Sequence, residues 1–422
     1  MEILIKNSIV IDSRSLLNGK KVDIYIKNGK IESIGTNLKV KAKHIIEDEN
    51  LHTSIGWLDM RANFQDPGFE YKEDLISGIQ AAANGGFTGV VLSSETNPAI
   101  SSKAQVEYIL NKTQKSLIDV FPMGTVSENG KGERLAEMYD MRVAGAVGFS
   151  DGKKSISDSG LLLRALLYVK GFNSLVANFP NDSSLVGKGI MHEGVVSTSL
   201  GLKGIPAIAE SNMVARDLHI LEYTGSKLHI SAISTEESVK QIKSAKSKNL
   251  NISTDVAAHN LDLTDENLKE FDSHYKVMPP LRSAVHVKSL IKGLKEGTID
   301  VICSDHCPED IENKRLEFDL AAFGISGMET MFSSCIHALL PHLPLDAIIE
   351  KFSVNPRKIL NLEIPKIEVG EKANLTLFNP EKEWIYSAEK SFSKSQNNPY
   401  IGKKLKGKAI AVINNNELFS CV

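Results

Sequence analysis

The sequence predicts an α/β chain: a (β/α)8 TIM barrel with a small β-sandwich domain formed from both chain ends. Three observations carry that prediction. Short apolar runs alternate with helical stretches through the middle of the chain, from about residue 55 to about residue 360. The first 50 residues carry alternating β patterns, and the last 60 repeat that chemistry. Neither end holds enough strands to be stable alone, so the two are expected to share one domain.

The elements follow in order. Ile3 to Ile11 alternates loosely, and Val22-Asp23-Ile24-Tyr25-Ile26 alternates cleanly. The turn Asn28-Gly29 leads into Ile31-Glu32-Ser33-Ile34, which is a strong hairpin signal. Eight strands are expected in the middle: Trp57–Met60, Val90–Leu92, Ile118–Phe121, Gly145–Phe149, Leu175–Ala177, Leu228–Ile230, Ile252–Thr254 and Val301–Cys303. Helical spacing appears between them at Asp74–Asn84, Lys103–Asn111, Ser159–Tyr168, Ser211–Tyr223, Glu236–Lys246 and Val287–Leu294. Eight buried strands separated by helices fit the barrel. A doubly wound open sheet is the alternative, but no glycine-rich phosphate loop opens any of these helices. Strands return at Ala373–Phe378 and Ala409–Ile413, with a turn at Asn414-Asn415-Asn416. The expected domains are residues 1–54 plus 364–422 (composite β-sandwich) and 55–363 (barrel).

Composition narrows the function classes. The chain has 422 residues, 42% hydrophobic and 24% charged, which excludes a disordered chain. A net charge of -3 leaves no basic footprint for nucleic acid. Four cysteines make no disulfide framework, so a cytoplasmic location is expected. The start MEILIKNSIVIDS lacks the pattern of a signal peptide, and no run of 18 apolar residues spans a membrane.

In a barrel, chemistry sits at the C-terminal ends of the strands. Those ends offer Arg61 and Asn63, Ser93 to Glu95, Asp151, Asn178, Ala232, Asp255 to His259, and Asp305-His306. No His-x-His and no His-Glu-x-x-His occurs, and Cys303 with Cys307 lacks a second pair. Spacing alone predicts no metal.

Several stretches carry a more specific signal. They are Asp66-Pro67-Gly68-Phe69-Glu70-Tyr71-Lys72-Glu73-Asp74, Gly85-Gly86-Phe87-Thr88, Thr96-Asn97-Pro98, Gly148-Phe149-Ser150-Asp151 and Val214-Ala215-Arg216-Asp217. Further on stand Leu263-Thr264-Asp265-Glu266, Pro279-Pro280-Leu281-Arg282, Ser304-Asp305-His306, Phe323 to Thr330, and Asn355 to Leu360. In this order they resemble the class I dihydroorotases of the cyclic amidohydrolase superfamily, over nearly the whole chain. The resemblance implies metal-assisted hydrolysis of a cyclic amide, with zinc and a proton-carrying aspartate.

Measured against that family, the chain departs at most ligand positions. The resemblance puts Arg61 and Asn63 where the family has its first two histidines, Asn178 at the third and Ala232 at the fourth. Asp151 and Asp305 remain, Asp305 being the family's proton carrier, retained and expected to be idle. Arg61 cannot ligate, Ala232 has no donor, and neutral amides suit zinc poorly. No cofactor is therefore expected. The substrate-pocket positions are Gln65, Glu95, Met278, His259 and His306. Gln65 stands for an arginine, Glu95 and Met278 for asparagines, and Glu95 would repel a carboxylate ligand. Arg61 either pairs with Asp305, and with Asp151, in place of the metal, or is solvated.

Three functional readings follow. One is a non-catalytic dihydroorotase-like protein of pyrimidine synthesis, a pseudoenzyme partnered with aspartate carbamoyltransferase as degenerate family members are, or with itself. Another is an active dihydroorotase or other cyclic amidohydrolase with an altered site. The third is a small-molecule binder using a mouth lined by Arg61, Gln65, Glu95, Asn178 and His259. The first is preferred, with no nucleic acid and no membrane partner.

Overall fold

A computed structural model describes all 422 residues. The N-terminal strands are β1 (Glu2–Val10), β2 (Lys21–Lys27), β3 (Lys30–Gly35), β4 (His44–Ile46) and β5 (His52–Ile55). Next come β6 (Trp57–Ala62), β7 (Phe87–Leu92), β8 (Asp119–Pro122) and β9 (Val176–Asn178). β10 (Met191–His192) and β11 (Gly204–Ile205) make a small separate pair. β12 (Leu228–Ile230), β13 (Ile252–Ala257) and β14 (Val301–Cys303) follow, and β15 (Leu375–Ile385), β16 (Lys404–Asn414) and β17 (Glu417–Ser420) end the chain.

The middle strands pair in parallel around a closed circuit. β6, β7 and β8 form one run, and β9, β12, β13 and β14 another. Phe149 bridges the gap by pairing with Gly124 just past β8 and with Val176 in β9. Ala62 in β6 pairs with His306 just past β14, which closes the ring.

The fourth segment departs from expectation. Gly145–Phe149 forms no regular strand: its ladder bridges are confined to Phe149, although Val147 N and the Gly148 carbonyl also bond to Pro122 and Gly124 at the end of β8. Gly145 instead ends the helix Met138–Ala144, at φ 116°. That left-handed cap suits glycine and breaks the extended run.

Helix starts follow local chemistry. Asp74 accepts from the backbone N–H of Ile76 and Ser77 at 2.9 and 2.8 Å and opens the helix Leu75–Asn84. Asp158 and Thr235 cap the helices Ser159–Lys170 and Glu236–Ser247 in the same way. Of the lysines after Thr235, the exposed Lys240 and Lys243 pair with Glu236 and Glu296, and Lys246 pairs with Asp300.

The two ends of the chain form a single sheet in the order β17-β16-β15-β5-β1-β2-β3, with β4 on β1. Trp57 joins this sheet to the ring. It is fully buried, with ring centroids 4.8 Å from Phe332, 5.1 Å from Phe352 and 5.4 Å from Phe378 in β15. Such aromatic pairs add about 0.5–1.5 kcal/mol each beyond area burial. No helix is long and apolar enough to cross a membrane.

Candidate functional site

Asp305 follows β14 at the closing seam of the ring, and Arg61 sits on the adjoining β6. Arg61 Nε donates to Asp305 Oδ1 at 2.8 Å, so the ion pair with Asp305 forms. Lys153 Nζ donates to Asp305 Oδ2 at 2.9 Å. Both carboxylate oxygens thus meet a fixed cation. Burial works against the Asp305 charge, but Lys153 and Arg61 outweigh it and hold the carboxyl below the usual range. Burial likewise opposes the Lys153 charge, and Asp305 more than restores it. The Arg61 guanidinium also lies 5.5 Å from the Phe179 ring centroid.

Arg61 does not reach Asp151. That carboxylate turns toward the loop after β8, accepting from Val126 N at 2.8 Å, Ser127 N at 3.1 Å and Ser127 Oγ at 2.5 Å. Burial raises its pKa despite these donors. Asn178 is held at both ends of its amide: its Oδ1 accepts from Ile156 N at 3.0 Å and its Nδ2 donates to Asp217 at 2.6 Å. The Asn63 amide bonds to Gln65 N and to the Glu95 carbonyl. Ala232 N donates to Asp255.

The zinc implied by family resemblance can be tested against these atoms. A tetrahedral site wants three or four close N, S or O ligands. No three His, Cys, Asp or Glu side chains are placed to hold a metal. Asp305 and Asp151 face different donors, and the Asn178 oxygen already accepts a backbone N–H. The residues present do not fit zinc. The backbone keeps an unusual shape at two of these positions, with φ 52° at Ala232 and φ 48° at Asp305. Outside glycine that region is sparsely used.

The pocket positions are dispersed. Gln65 is buried and bonds to the Pro308 carbonyl at 3.4 Å. His306 is buried, its Nε2 3.5 Å from Glu73 Oε2 and its ring edge-on to Phe64. His259 is buried with no partner at Nε2. Burial, opposed by Asp305 and reinforced by Lys153, lowers its pKa to about 4. Met278 is half-buried.

The mouth expected as one site is two spaces. A chamber of about 20 Å³ inside the ring is lined by Arg61, Ser93, His229, Ser231 and Asp255, among others. That is room for about one water. An outer cleft of about 520 Å³ holds Glu95, Thr125, Lys131, Asp151 and Lys154 in its lining. Gln65, Asn178 and His259 line neither. Glu95 lies against Gly152, where an added Cβ would fall 2.0 Å from the Glu95 Cδ. Gly152 also has φ 68°, so only glycine lets Glu95 settle there without strain.

Sequence reasoning missed Lys153 and the Asp255–His229 pair, in which Nε2 lies 2.9 Å from the carboxylate. The signal for Lys153 was present: a buried aspartate stripped of metal needs a compensating cation, and a lysine stands two residues after Asp151.

The closed ring and terminal sheet place the chain in the hydantoinase-type amidohydrolase fold. The L-hydantoinase (dihydropyrimidinase) of Arthrobacter aurescens superposes with a TM-score of 0.86 at 20% identity, covering 100% of this chain and 96% of that one. The dihydropyrimidinase of Brevibacillus agri gives 0.84 at 21%, covering 100% and 95%. At such identities the likeness concerns the fold alone. A family model described as "Dihydro-orotase-like" matches residues 53–238. The dihydroorotase of Geotalea daltonii is 39% identical over 416 residues, 98% of each chain. That of Acetivibrio thermocellus is 40% identical over 408 residues, 96% of each. The chain belongs to the dihydroorotase family.

Proposed function

We propose that this chain is a dihydroorotase-like protein of pyrimidine synthesis that does not hydrolyse a cyclic amide, and that it serves as a structural partner of an aspartate carbamoyltransferase. The closed ring is read as the (β/α)8 barrel, retained for its shape. One observation carries the non-catalytic reading: Arg61 Nε and Lys153 Nζ occupy the two oxygens of Asp305 at 2.8 and 2.9 Å.

A divalent cation would neutralise carboxylates at the mouth and polarise water. Two side-chain cations supply the neutralisation without the Lewis acid. They also lower the basicity of Asp305. A general base works best with a pKa near the operating pH. Asp305 is moved the other way, so it is a weak proton acceptor as well as a metal-free one. Ala232 and Asp305 keep left-handed backbone where the family places ligands, which supports a scaffold retained after its ligands changed.

The test joins metal analysis of the purified protein with a dihydroorotate hydrolysis assay and co-purification with a carbamoyltransferase. The expected result is no stoichiometric zinc, no turnover and a retained carbamoyltransferase. Turnover lost with a chelator and restored by zinc would overturn the reading.

A further inference from the structure

Two outer helices carry an apolar surface that the ring core does not use. In Ser159–Lys170 the buried row is Leu161, Leu162, Ala165, Leu166 and Val169, and in Met138–Ala144 it is Met138 and Met141. Those rows already pack into the main core. Yet on the outside Val143 is 67% exposed, Tyr139 51%, Leu167 47% and Tyr168 37%. These side chains form one surface. Phe172 bridges the two helices, its ring 5.5 Å from Tyr139 and 5.5 Å from Tyr168, edge-on to both. Val143 stands one helical turn after Tyr139, and Leu167 stands next to Tyr168. Adjoining exposed apolar side chains inside a polar rim mark an interaction surface, and tyrosine is enriched at such surfaces.

The rim has one sign of charge on each helix. Glu137 and Asp140 are exposed beside Tyr139, and Arg164 is exposed one turn before Tyr168. Other cations nearby are engaged: Arg134 pairs with Glu128, Arg216 pairs with Asp217, and Lys170 donates to the Thr224 carbonyl. Arg164 lies over Gly160 and pairs with no carboxylate. A partner of a single charge would match one edge of this face and oppose the other. A second copy turned by half a rotation matches both.

We propose that this face is an interface with a second copy of the chain, in which the Tyr139 and Val143 side of one protomer stacks on the Leu167 and Tyr168 side of the other, and Asp140 of each protomer meets Arg164 of the other. None of these residues lies at the ring centre, so the interface stands whether or not that centre is catalytic.

The experiment is sedimentation equilibrium of the full chain from about 1 to about 100 µM, the range in which an interface of micromolar affinity fills. A dimer is expected. Val143→Asp with Tyr168→Asp should give a monomer whose circular dichroism is unchanged, since both side chains are exposed. Arg164→Glu alone, and Asp140→Arg alone, should each weaken the dimer about tenfold by setting like charges together. The two in one chain restore the opposite-charge pair, and that dimer should be at least about threefold tighter than either single variant. A folding defect cannot produce such a recovery. A chain that stays monomeric at about 100 µM, as it would if a different protein covered this face, would overturn the proposal. So would a dimer that survives Val143→Asp with Tyr168→Asp, or a double charge swap no tighter than the single ones.

Discussion

Lys153 Nζ and Arg61 Nε approach the Asp305 carboxylate from different oxygens, at 2.9 and 2.8 Å, so each cation makes its own bond and neither can replace the other. Removing one leaves a buried carboxylate half paired. Lys153→Met should lower the unfolding free energy by about 2–4 kcal/mol in urea titration. The double variant Lys153→Met with Asp305→Asn, which removes the stranded charge, should recover most of that loss. Two additive losses would show that the pair is not coupled.

Rebuilding the imidazoles should not rebuild a metal site. A chain carrying Arg61→His, Asn63→His, Asn178→His and Ala232→His keeps Lys153 against Asp305 Oδ2. Metal analysis should find no tightly held zinc, and adding Lys153→Gly should be required before any is retained. Asn178→His alone should destabilise the fold by about 1–3 kcal/mol, because the larger ring does not fit the buried space from which the amide reaches Ile156 N and Asp217.

His259 predicts a pH dependence. In the unfolded chain a histidine protonates near about 6.5. Here burial, against Asp305 and together with Lys153, delays protonation to about 4. The unfolded state therefore binds the extra proton over that interval. Stability falls as pH drops from about 6.5 to about 4, by ~1.4 kcal/mol per pH unit from this group. His259→Gln should flatten the fall between pH 6.5 and pH 4.5 by about one proton's worth in urea titrations at each pH. An unchanged slope would mean that His259 is charged in the folded state.

Glu329 predicts a local effect. Its buried carboxylate takes hydrogen bonds from Asn84 at 2.7 Å, Tyr386 at 3.0 Å, Ser391 at 2.5 Å and Phe392 N at 3.1 Å. It therefore ties the segment between β15 and β16 to the ring. Glu329→Ala should cost about 3 kcal/mol and speed amide exchange at residues 386–398 before the ring strands exchange.

Much of this was legible in the sequence. Strand periodicity located seven ring strands, because parallel buried strands read as short apolar runs between helices. Gly145 to Phe149 also reads as such a run, but its glycine serves a helix end first. Site geometry was legible where chemistry forces a partner, as for Arg61 and Asp305. It was illegible where it depends on loop paths. Nothing in the order of residues says that Asp151 turns to Ser127, or that Glu95 settles on Gly152 and leaves an outer cleft apart from the ring centre.

The place of β5 in the terminal sheet has a consequence during synthesis. It lies between β1 and β15, with Leu375 opposite Ile55 and Phe378 opposite His52. As the chain leaves the ribosome, one side of β5 stays open until some 320 further residues have emerged. Unpaired edges invite pairing with other chains. The nascent protein therefore depends on late closure of that seam, and a chaperone that shields His52 to Ile55 would act where the folding route is most exposed.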